Sequence, residues 1–285
     1  MTTLLAVPNF SEGRDVVLIE AIARAFDTRR LDLHSDPDHN RTVLTLAGAP
    51  GELAYAVLAG ARRALELLHL SRHQGAHPRI GVLDVAPIVY LEESARGAAC
   101  AEALLLADLL GTELELPVFL YGALGGGRTR ADLRRGGPDR LAERLAQGEL
   151  RPDFGPAHLH HTAGAVLVAA RPPLVAFNVE LAAPATLVQA RAIAAEIREG
   201  GREGLPGVRA LGIWLDRRGV AQVSTNVEDH LAVPLAAVVE AIARHAEIRE
   251  TELVGLAPRA AFEGFPDEIE VRHRATIEDA LARPE

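Results

Sequence analysis

The order in which apolar segments follow one another constrains the fold most strongly, because the same order occurs twice along the chain. Each half contains a strand, a helix, two strands, a second helix and a last strand, as judged from apolar periodicity. This is the split βαββαβ order, in which two helices cover one face of a sheet. The segments are residues 3–8, 16–26, 31–35, 41–48, 51–69 and 82–90 in the first half and residues 173–181, 184–200, 208–216, 220–228, 234–248 and 251–258 in the second.

This repeated order predicts an α+β or α/β fold with two subdomains, residues 1–172 and residues 173–285. Each is expected to contain a mixed or antiparallel sheet with helices on one face, and the second subdomain to have a ferredoxin-like order. A helix near 92–110 and a strand at 116–122 extend the first half. The predicted irregular segments are a mobile region around a short helix at 122–140, an extended connection at 150–164 and a peripheral tail after 264.

The absence of lysine excludes several kinds of chemistry. All 30 basic side chains are arginine, so there is no Schiff-base lysine for pyridoxal phosphate and no standard P-loop. The single cysteine, Cys100, lies in an apolar helical segment, where we expect an inert thiol and a reducing cytoplasmic setting. The net charge of −9 gives little support for binding nucleic acid, and neither a membrane span nor a signal peptide is expected.

Polar residues are concentrated in four predicted loops, and most of the histidines lie in the last three of them. Because loops carry functional residues more often than helices and strands do, this concentration points to a site. The loops are residues 9–14, 34–42, 73–81 and 152–164.

His77, in the loop HQGAHPRIG at 73–81, is the first candidate for catalysis. The proline that follows it disfavours helical geometry at position 77, and Gly75 and Gly81 permit turns on either side. A histidine can both accept and donate a proton near neutral pH, and Arg79 supplies a fixed cation nearby. The alternative is a histidine that only satisfies loop carbonyls.

The loop HSDPDHNRT at 34–42 allows a different interpretation. Its histidines and aspartates are of the types that bind zinc or manganese, and the three histidines at 158–161 are candidates to complete such a site. The spacing matches no closed metal site, so a turn shaped by aspartate side chains remains the alternative. The residues concerned are His34, Asp36, Asp38, His39, His158, His160 and His161.

The glycine-rich run GALGGGRTR at 122–130 has only a superficial similarity to an anion-binding loop, and we expect a flexible linker. The arginines in and after this run are expected to form a solvated face, with an anionic ligand tail as the alternative partner. They are Arg128, Arg130, Arg134 and Arg135.

Taken in order, the loop motifs resemble those of the glutamate formiminotransferase family, the transferase half of formiminotransferase-cyclodeaminase. The similarity covers nearly the whole chain, and a cyclodeaminase domain is not expected within it. The matching segments are VPNFSEGR at 7–14, NRTV at 40–43, SRHQGAHPRIGVLD at 71–84, PVFLYG at 117–122, PDFGP at 152–156, LVAFNVEL at 174–181 and AQVSTNV at 221–227.

The resemblance implies a homodimer whose subunits have two subdomains with a folate tunnel between them, and no bound metal. It implies transfer of a formimino group between N-formiminoglutamate and tetrahydrofolate, the co-substrate, with His77 as the catalytic histidine. Arg41 and Arg79 are expected to bind substrate carboxylates. The other residues expected to contact substrate or folate are Asn9, Ser11, Asp36, Asn40, Gly155, Pro156, His158, His160, His161 and Gly164.

Two features depart from the family pattern. Mammalian members carry an acidic residue near the end of the second strand, where this chain has His34 followed by Asp36, and the loop at 155–164 is unusually rich in histidine. A formyl donor is therefore an open alternative to a formimino donor. Two other functions also remain open, namely a metal-dependent hydrolase of formiminoglutamate-like amides and a folate-binding relative without activity.

Overall fold

The first apolar segment forms the centre of a seven-stranded sheet in the computed structural model, which describes residues 2–284. This segment contains β1 (Leu4–Ala6), and after Pro8 the chain forms a second short strand, β2 (Asn9–Phe10), at the start of the predicted loop 9–14. Both lie between β4 (Arg41–Gly48) and β5 (Leu83–Tyr90) and run antiparallel to each. Proline has no N–H to donate to a ladder, which explains the interruption.

The remaining strands complete a mixed sheet. β3 (Arg29–Asp36) pairs antiparallel with β4 at one edge. Beyond β5 come β7 (Val166–Arg171) and then β6 (Val118–Leu120), and both of these pairings are parallel. No strand is predicted at 166–171 from the sequence, because this run is apolar without alternation. Its residues are buried on both sides, which is typical of a strand inside a parallel sheet.

Helices cover both faces of this first sheet. Three helices share one hydrophobic core: α1 (Val16–Ala23), α2 (Leu53–Leu67) and α3 (Arg96–Glu113). The opposite face packs against α4 (Arg130–Arg134) and α5 (Gly137–Ala146). The predicted short helix is present as α4, but the mobile loop expected after it is instead the start of a second helix, α5. The expectation of helices on one face only is wrong for this sheet, because helices cover both of its faces.

The second sheet has five strands and contains the predicted βαββαβ order. Its strands β8 to β10 are β8 (Val175–Leu181), β9 (Val208–Leu215) and β10 (Val220–Val227). The fourth is β11 (Ile248–Val254), and the helices between them are α6 (Leu187–Ile197) and α7 (Leu235–Ala243). The spatial order β11, β8, β10, β9 is the ferredoxin-like one, with all three pairings antiparallel.

The charged segment after residue 264 is part of the second sheet's unit, so the expectation of a peripheral tail is wrong. β12 (Val271–Arg272) pairs parallel with β11, and Thr276 caps the final helix, α8 (Ile277–Ala282). Val271 is buried in the same core as α6 and α7. On the face of the sheet away from these helices, Arg218 and Arg272 both form ion pairs with the buried carboxylate of Glu180.

The described residues form two compact units with the boundary between Pro172 and Pro173. Two sheets with associated helices confirm the predicted mixed fold class. No helix within residues 2–284 combines the length and the apolar character that crossing a membrane requires.

Candidate functional site

The loop at 73–81 packs directly on the turn that joins β3 to β4. At Gly75 an added Cβ would lie 2.3 Å from the backbone oxygen of His39, so only glycine allows this approach. The N–H of Ala76 donates to the oxygen of Asp38 at 3.1 Å, and His73 Nε2 lies 2.6 Å from the oxygen of Asn40. Two loops that are far apart in sequence are therefore in contact through their backbones.

Asn40 connects a third loop to this pair. Its φ angle is 50°, in the left-handed region that asparagine tolerates better than most residues. Its Oδ1 accepts a hydrogen bond from the N–H of Gly13 at 2.8 Å, and its Nδ2 donates to the oxygen of Gln74 at 2.9 Å. The buried amide of Asn40 thus holds the loop at 9–14 and the loop at 73–81 on the same turn.

The fourth loop joins at two facing glycines. Gly81 and Gly164 form an antiparallel bridge, and a Cβ at position 81 would lie 1.9 Å from the oxygen of Ala165. Gly164 itself has a φ angle of 75°. The hydroxyl of Ser11 donates to the oxygen of Gly81 at 2.8 Å. The structure therefore brings together the four polar loops that the sequence singles out.

His77 lies at the end of this loop cluster with Arg41 beside it. Nη1 of Arg41 is 2.7 Å from Nδ1 and 3.1 Å from Nε2 of the imidazole. Nδ1 also lies 2.7 Å from the oxygen of Pro78, and the ring of His39 is 5.9 Å away between centroids. Arg41 is at the start of β4, where its position is set by the sheet.

Behind Arg41 lies Asp84, a carboxylate in β5 that is 2% exposed. Its Oδ2 accepts a hydrogen bond from Arg134 of α4 and lies 3.5 Å from Nη2 of Arg41. Its Oδ1 accepts from the N–H of Ile80 at 2.8 Å, which holds the end of the loop at 73–81. One carboxylate therefore holds two guanidinium groups and the loop that carries His77.

The charges around His77 favour its neutral form. Burial, together with the positive charges of Arg41 and Arg134, lowers the pKa of His77 well below its usual value, so the imidazole is uncharged at neutral pH. Burial also lowers the pKa of Arg41 to about 9, which still leaves this guanidinium charged at neutral pH. Arg130 adds positive charge and lies 5.8 Å from the ring centroid of Tyr121. A neutral base beside an excess of positive charge suits an anionic ligand.

A cavity of about 450 Å³ opens beside His77 and Arg134. Its walls are the loop segment 75–79 and the segment 136–138 at the start of α5, with Leu70 at one side. This volume is within the range of pockets that hold small molecules. The arrangement offers a proton-accepting group, guanidinium groups and a cavity at one place.

The other predicted site residues have partners within their own loops. Arg79 donates to the oxygen of His73 at 2.7 Å, and Asp36 Oδ1 accepts from the N–H groups of Asp38 and His39 at 2.7 Å each. Asn9 Nδ2 donates to the oxygen of Val7 at 2.8 Å. These side chains shape the loops around His77.

The loop at 155–164 presents its histidines differently. His160 Nδ1 accepts from the N–H of Ala163 at 3.1 Å, and the His160 and His161 rings are stacked with centroids 4.6 Å apart. The side chains of His158 and His161 are exposed. A Cβ at Gly155 would lie 2.1 Å from the oxygen of Leu116, so this glycine allows the start of the loop to pack closely.

In the part of the chain that the structure describes, no three His, Cys, Asp or Glu side chains converge as a group that could hold a metal ion. The candidate ligands named from the sequence are divided between the end of β3 with the turn after it and the loop at 155–164.

Sequence reasoning did not include Asp84 or Arg134 among the site residues. Asp84 is the only charged residue in the apolar run VLDVAPIVY at 82–90, and a lone carboxylate in a buried strand indicates a partner elsewhere. Arg134 was expected on a solvated face, but its side chain is only 10% exposed. Nothing in the local sequence of α4 distinguishes this arginine from Arg135, whose side chain is 78% exposed.

The chain is similar to known proteins over nearly its whole length. The chain matches the family described as "Formiminotransferase domain, N-terminal subdomain" over residues 3–171 and "Formiminotransferase domain" over residues 176–264. It is 33% identical to the glutamate formimidoyltransferase of Thermoplasma acidophilum, covering 92% of this chain and 90% of that protein. The corresponding protein of Streptococcus pyogenes is also 33% identical, with 90% and 89% covered.

A longer relative is also similar. The chain is 40% identical to the formimidoyltransferase-cyclodeaminase of Sus scrofa over 277 residues, which are 90% of this chain and 50% of that protein. The chain thus spans about half the length of this relative.

Proposed function

The chain belongs to the formiminotransferase family, and from this premise we propose that it transfers a formimino group between N-formiminoglutamate and tetrahydrofolate with His77 as general acid and base. The observation that carries the proposal is the imidazole of His77, neutral and at the edge of a cavity, with Arg41 at 2.7 Å. A neutral imidazole is the form that accepts a proton.

The reaction needs one proton to leave a nitrogen and one to reach another. N5 of tetrahydrofolate attacks the amidine carbon, and His77 takes the proton that N5 loses as the new C–N bond forms. The tetrahedral adduct then expels the glutamate nitrogen, which receives that proton from His77 as the old C–N bond breaks. A single imidazole therefore performs both transfers, and the protons and electron pairs balance.

Positive charge at the site fits the substrates, which carry carboxylates. Arg41 and Arg79 are our proposed partners for the carboxylates of N-formiminoglutamate, since guanidinium groups bind carboxylates in a bidentate manner. Ser11 and Asn40 would act by holding the loop of His77, because their side chains bond to backbone groups. The folate would lie along residues 155–164, where Pro156, His158, His160 and His161 are the proposed contacts.

We also propose that the protein is a homodimer in the cytoplasm, which its family membership supports. Light scattering on the purified chain measures the mass directly. A mass of twice 30.4 kDa is the expected result, and a mass of 30.4 kDa would contradict the dimer.

The experiment that tests the function offers N-formiminoglutamate and N-formylglutamate side by side, each with tetrahydrofolate. We expect transfer from the formimino donor, and preference for the formyl donor would redirect the proposal to formyl transfer. The His77→Ala variant should lose about 10²–10⁴-fold in turnover, the usual contribution of general acid–base catalysis. His69→Ala is the matched control, because His69 is exposed in the same region of the chain and should retain full activity. Full activity in His77→Ala would remove the assignment.

A further inference from the structure

We propose that Arg41 keeps His77 from acting as a base until a substrate carboxylate draws its guanidinium away from the imidazole. Base function is then coupled to recognition of an acidic substrate. This inference rests on the proposed function. It means that Arg41 selects acidic substrates by raising their kcat as well as by binding them.

The first support is that one guanidinium nitrogen of Arg41 lies close to both ring nitrogens of His77. Nη1 of Arg41 lies within hydrogen-bond distance of Nδ1, at 2.7 Å, and of Nε2, at 3.1 Å. In a neutral imidazole one nitrogen carries the hydrogen and the other the lone pair that accepts a proton. Nδ1 also lies 2.7 Å from the oxygen of Pro78, which places the hydrogen on Nδ1 and the lone pair on Nε2. A guanidinium charge this close to the ring opposes protonation of Nε2, so the imidazole is a poor base in this arrangement.

The second support is that Arg41 is not fully held by its own carboxylate. Asp84 is shared, because its Oδ2 accepts from Arg134 and lies 3.5 Å from Nη2 of Arg41. Nε of Arg41 is buried and has no hydrogen-bond partner. A guanidinium group with unused donors can take a bidentate carboxylate, which is a stronger partner than a neutral imidazole.

The third support is the charge that faces His77 from each element around it. Arg41 comes from β4, Arg134 from α4 and His39 from the turn after β3, and Asp84 lies behind the two arginines on β5. Arg79, in the same loop, donates to backbone oxygens of that loop. Two guanidinium groups and one carboxylate leave a net positive charge, which a bound carboxylate would neutralise.

A carboxylate that engages Arg41 neutralises the positive charge that opposes protonation of the imidazole, so the pKa of His77 rises towards its usual value. A substrate without the carboxylate would enter the cavity but leave the charge of Arg41 beside His77 in place. Its deficit would appear mainly in kcat, whereas loss of a simple binding contact would appear in KM.

The direct test uses the wild-type chain and needs no turnover. The pKa of His77 is followed by NMR of ¹⁵N-labelled imidazoles, with the His77→Gln spectrum giving the assignment. The titration is repeated in saturating glutarate, a dicarboxylate without an amidine, and in glutaramide, its uncharged analogue. We expect glutarate to raise the pKa of His77 by about one unit, a tenfold change in proton affinity, and glutaramide to leave it unchanged. A pKa that stays constant while calorimetry shows that glutarate binds would overturn the proposal.

Two variants add a matched comparison. In Arg41→Gln the pKa of His77 should already be higher than in the wild type and should no longer respond to glutarate. In Arg62→Gln, which removes an arginine whose side chain is 50% exposed on α2, the response should equal that of the wild type. If Arg41→Gln does not fold, the wild-type titration with its two ligands still decides the question.

Kinetics separate this inference from the proposed function. 4-(Formiminoamino)butyrate lacks the α-carboxylate of N-formiminoglutamate, and N-formimino-2-aminobutyrate lacks the γ-carboxylate. One of the two should lose at least tenfold in kcat with a smaller change in KM, and a loss confined to KM for both would contradict the coupling. If the chain transfers no formimino group at all, the proposed function fails, while the glutarate titration still tests the contact between Arg41 and His77.

Discussion

The guanidinium of Arg134 donates a hydrogen bond to Oδ2 of Asp84, although the two residues are 50 positions apart in the sequence. Their side chains are only 10% and 3% exposed. The same carboxylate accepts from the N–H of Ile80 at 2.8 Å and lies 3.5 Å from Arg41. Asp84 thus connects α4, β4 and the loop of His77, so a substitution of this carboxylate should disturb the positions of all three.

Replacing Asp84 with asparagine should destabilise the first unit strongly. The amide can still accept the hydrogen bond from Ile80, but it leaves two buried guanidinium groups without their counter-charge. Breaking a buried ion pair costs about 3–5 kcal/mol, and we expect a loss of that order in the free energy of unfolding. Urea denaturation followed by circular dichroism measures it.

The matched control for this variant is Glu113→Gln. Glu113 forms an ion pair with Arg62 at 3.4 Å, but both side chains are about half exposed. Exposed pairs contribute little, so this variant should stay within about 0.5 kcal/mol of the wild type. Equal losses in the free energy of unfolding for the two variants would show that Asp84 is not needed to neutralise the buried arginines.

The elements with clear periodicity could be predicted from sequence, and those with mixed signals could not. All six elements of the second βαββαβ order are present, since alternating strands and amphipathic helices leave a distinct pattern. The strand at 166–171 was missed because a strand buried on both faces has no alternation. The short helix α4 was predicted, but α5 was missed because the glycines at 136–137 dominate the local signal at its start.

The candidate site was predictable where its residues lie in loops and not where they lie in helices or strands. His77 and Arg41 belong to polar segments that single-sequence reasoning can identify. Asp84 and Arg134 become site residues only through packing between β5 and α4, which pairs positions far apart in the chain. No local pattern records such a contact, so a three-dimensional arrangement is needed to find it.

A methyl group at position 81 should displace the loop of His77. An added Cβ at Gly81 would lie 1.9 Å from the oxygen of Ala165, so Gly81→Ala forces a backbone shift. Overpacking of this kind costs about 1–3 kcal/mol, and urea denaturation should show a loss in that range. Gly97→Ala is the control, because in α3 a Cβ at position 97 has open space. Alanine favours a helix over glycine by about 0.5–1 kcal/mol, so this variant should gain stability. A change of the same sign in the free energy of unfolding of both variants would contradict the close packing at Gly81.

Acidification should lower the stability of the chain as the pH falls below 6.5. The folded state lowers the pKa of His77 well below the usual value of 6.5, and burial also lowers the pKa of His73, His160 and His230. Below pH 6.5 the unfolded chain therefore binds protons that these folded imidazoles do not, and the free energy of unfolding decreases. Urea titrations from pH 7.5 to about pH 5 measure the slope.

In His77→Gln this slope should be smaller than in the wild type. An unchanged slope in the His77 variant would mean that this imidazole takes up its proton in the folded chain as readily as in the unfolded one.

Two helices are capped by threonine in the same local geometry. Comparing substitutions at the two caps distinguishes an effect of α4 on activity from a general loss of stability. The hydroxyl of Thr129 accepts from the N–H of Asp132 at 3.1 Å at the start of α4, and that of Thr276 accepts from Asp279 at 3.1 Å at the start of α8. Removal of either cap should cost about 1 kcal/mol in the free energy of unfolding. Only α4 carries Arg134, so only Thr129→Ala should disturb the charge around His77.

We therefore expect similar urea midpoints for Thr129→Ala and Thr276→Ala, but a several-fold lower kcat/KM for formimino transfer in Thr129→Ala alone. The measurement is steady-state kinetics at a temperature where both variants remain folded. A cap substitution acts on activity here by loosening the arginines of α4, Arg130 and Arg134, since the hydroxyl of Thr129 bonds within α4 and is not part of the cavity wall described beside His77. Equal rates in the two variants would indicate that the position of α4 has no influence on the reaction, and Arg134 would then be a structural partner of Asp84.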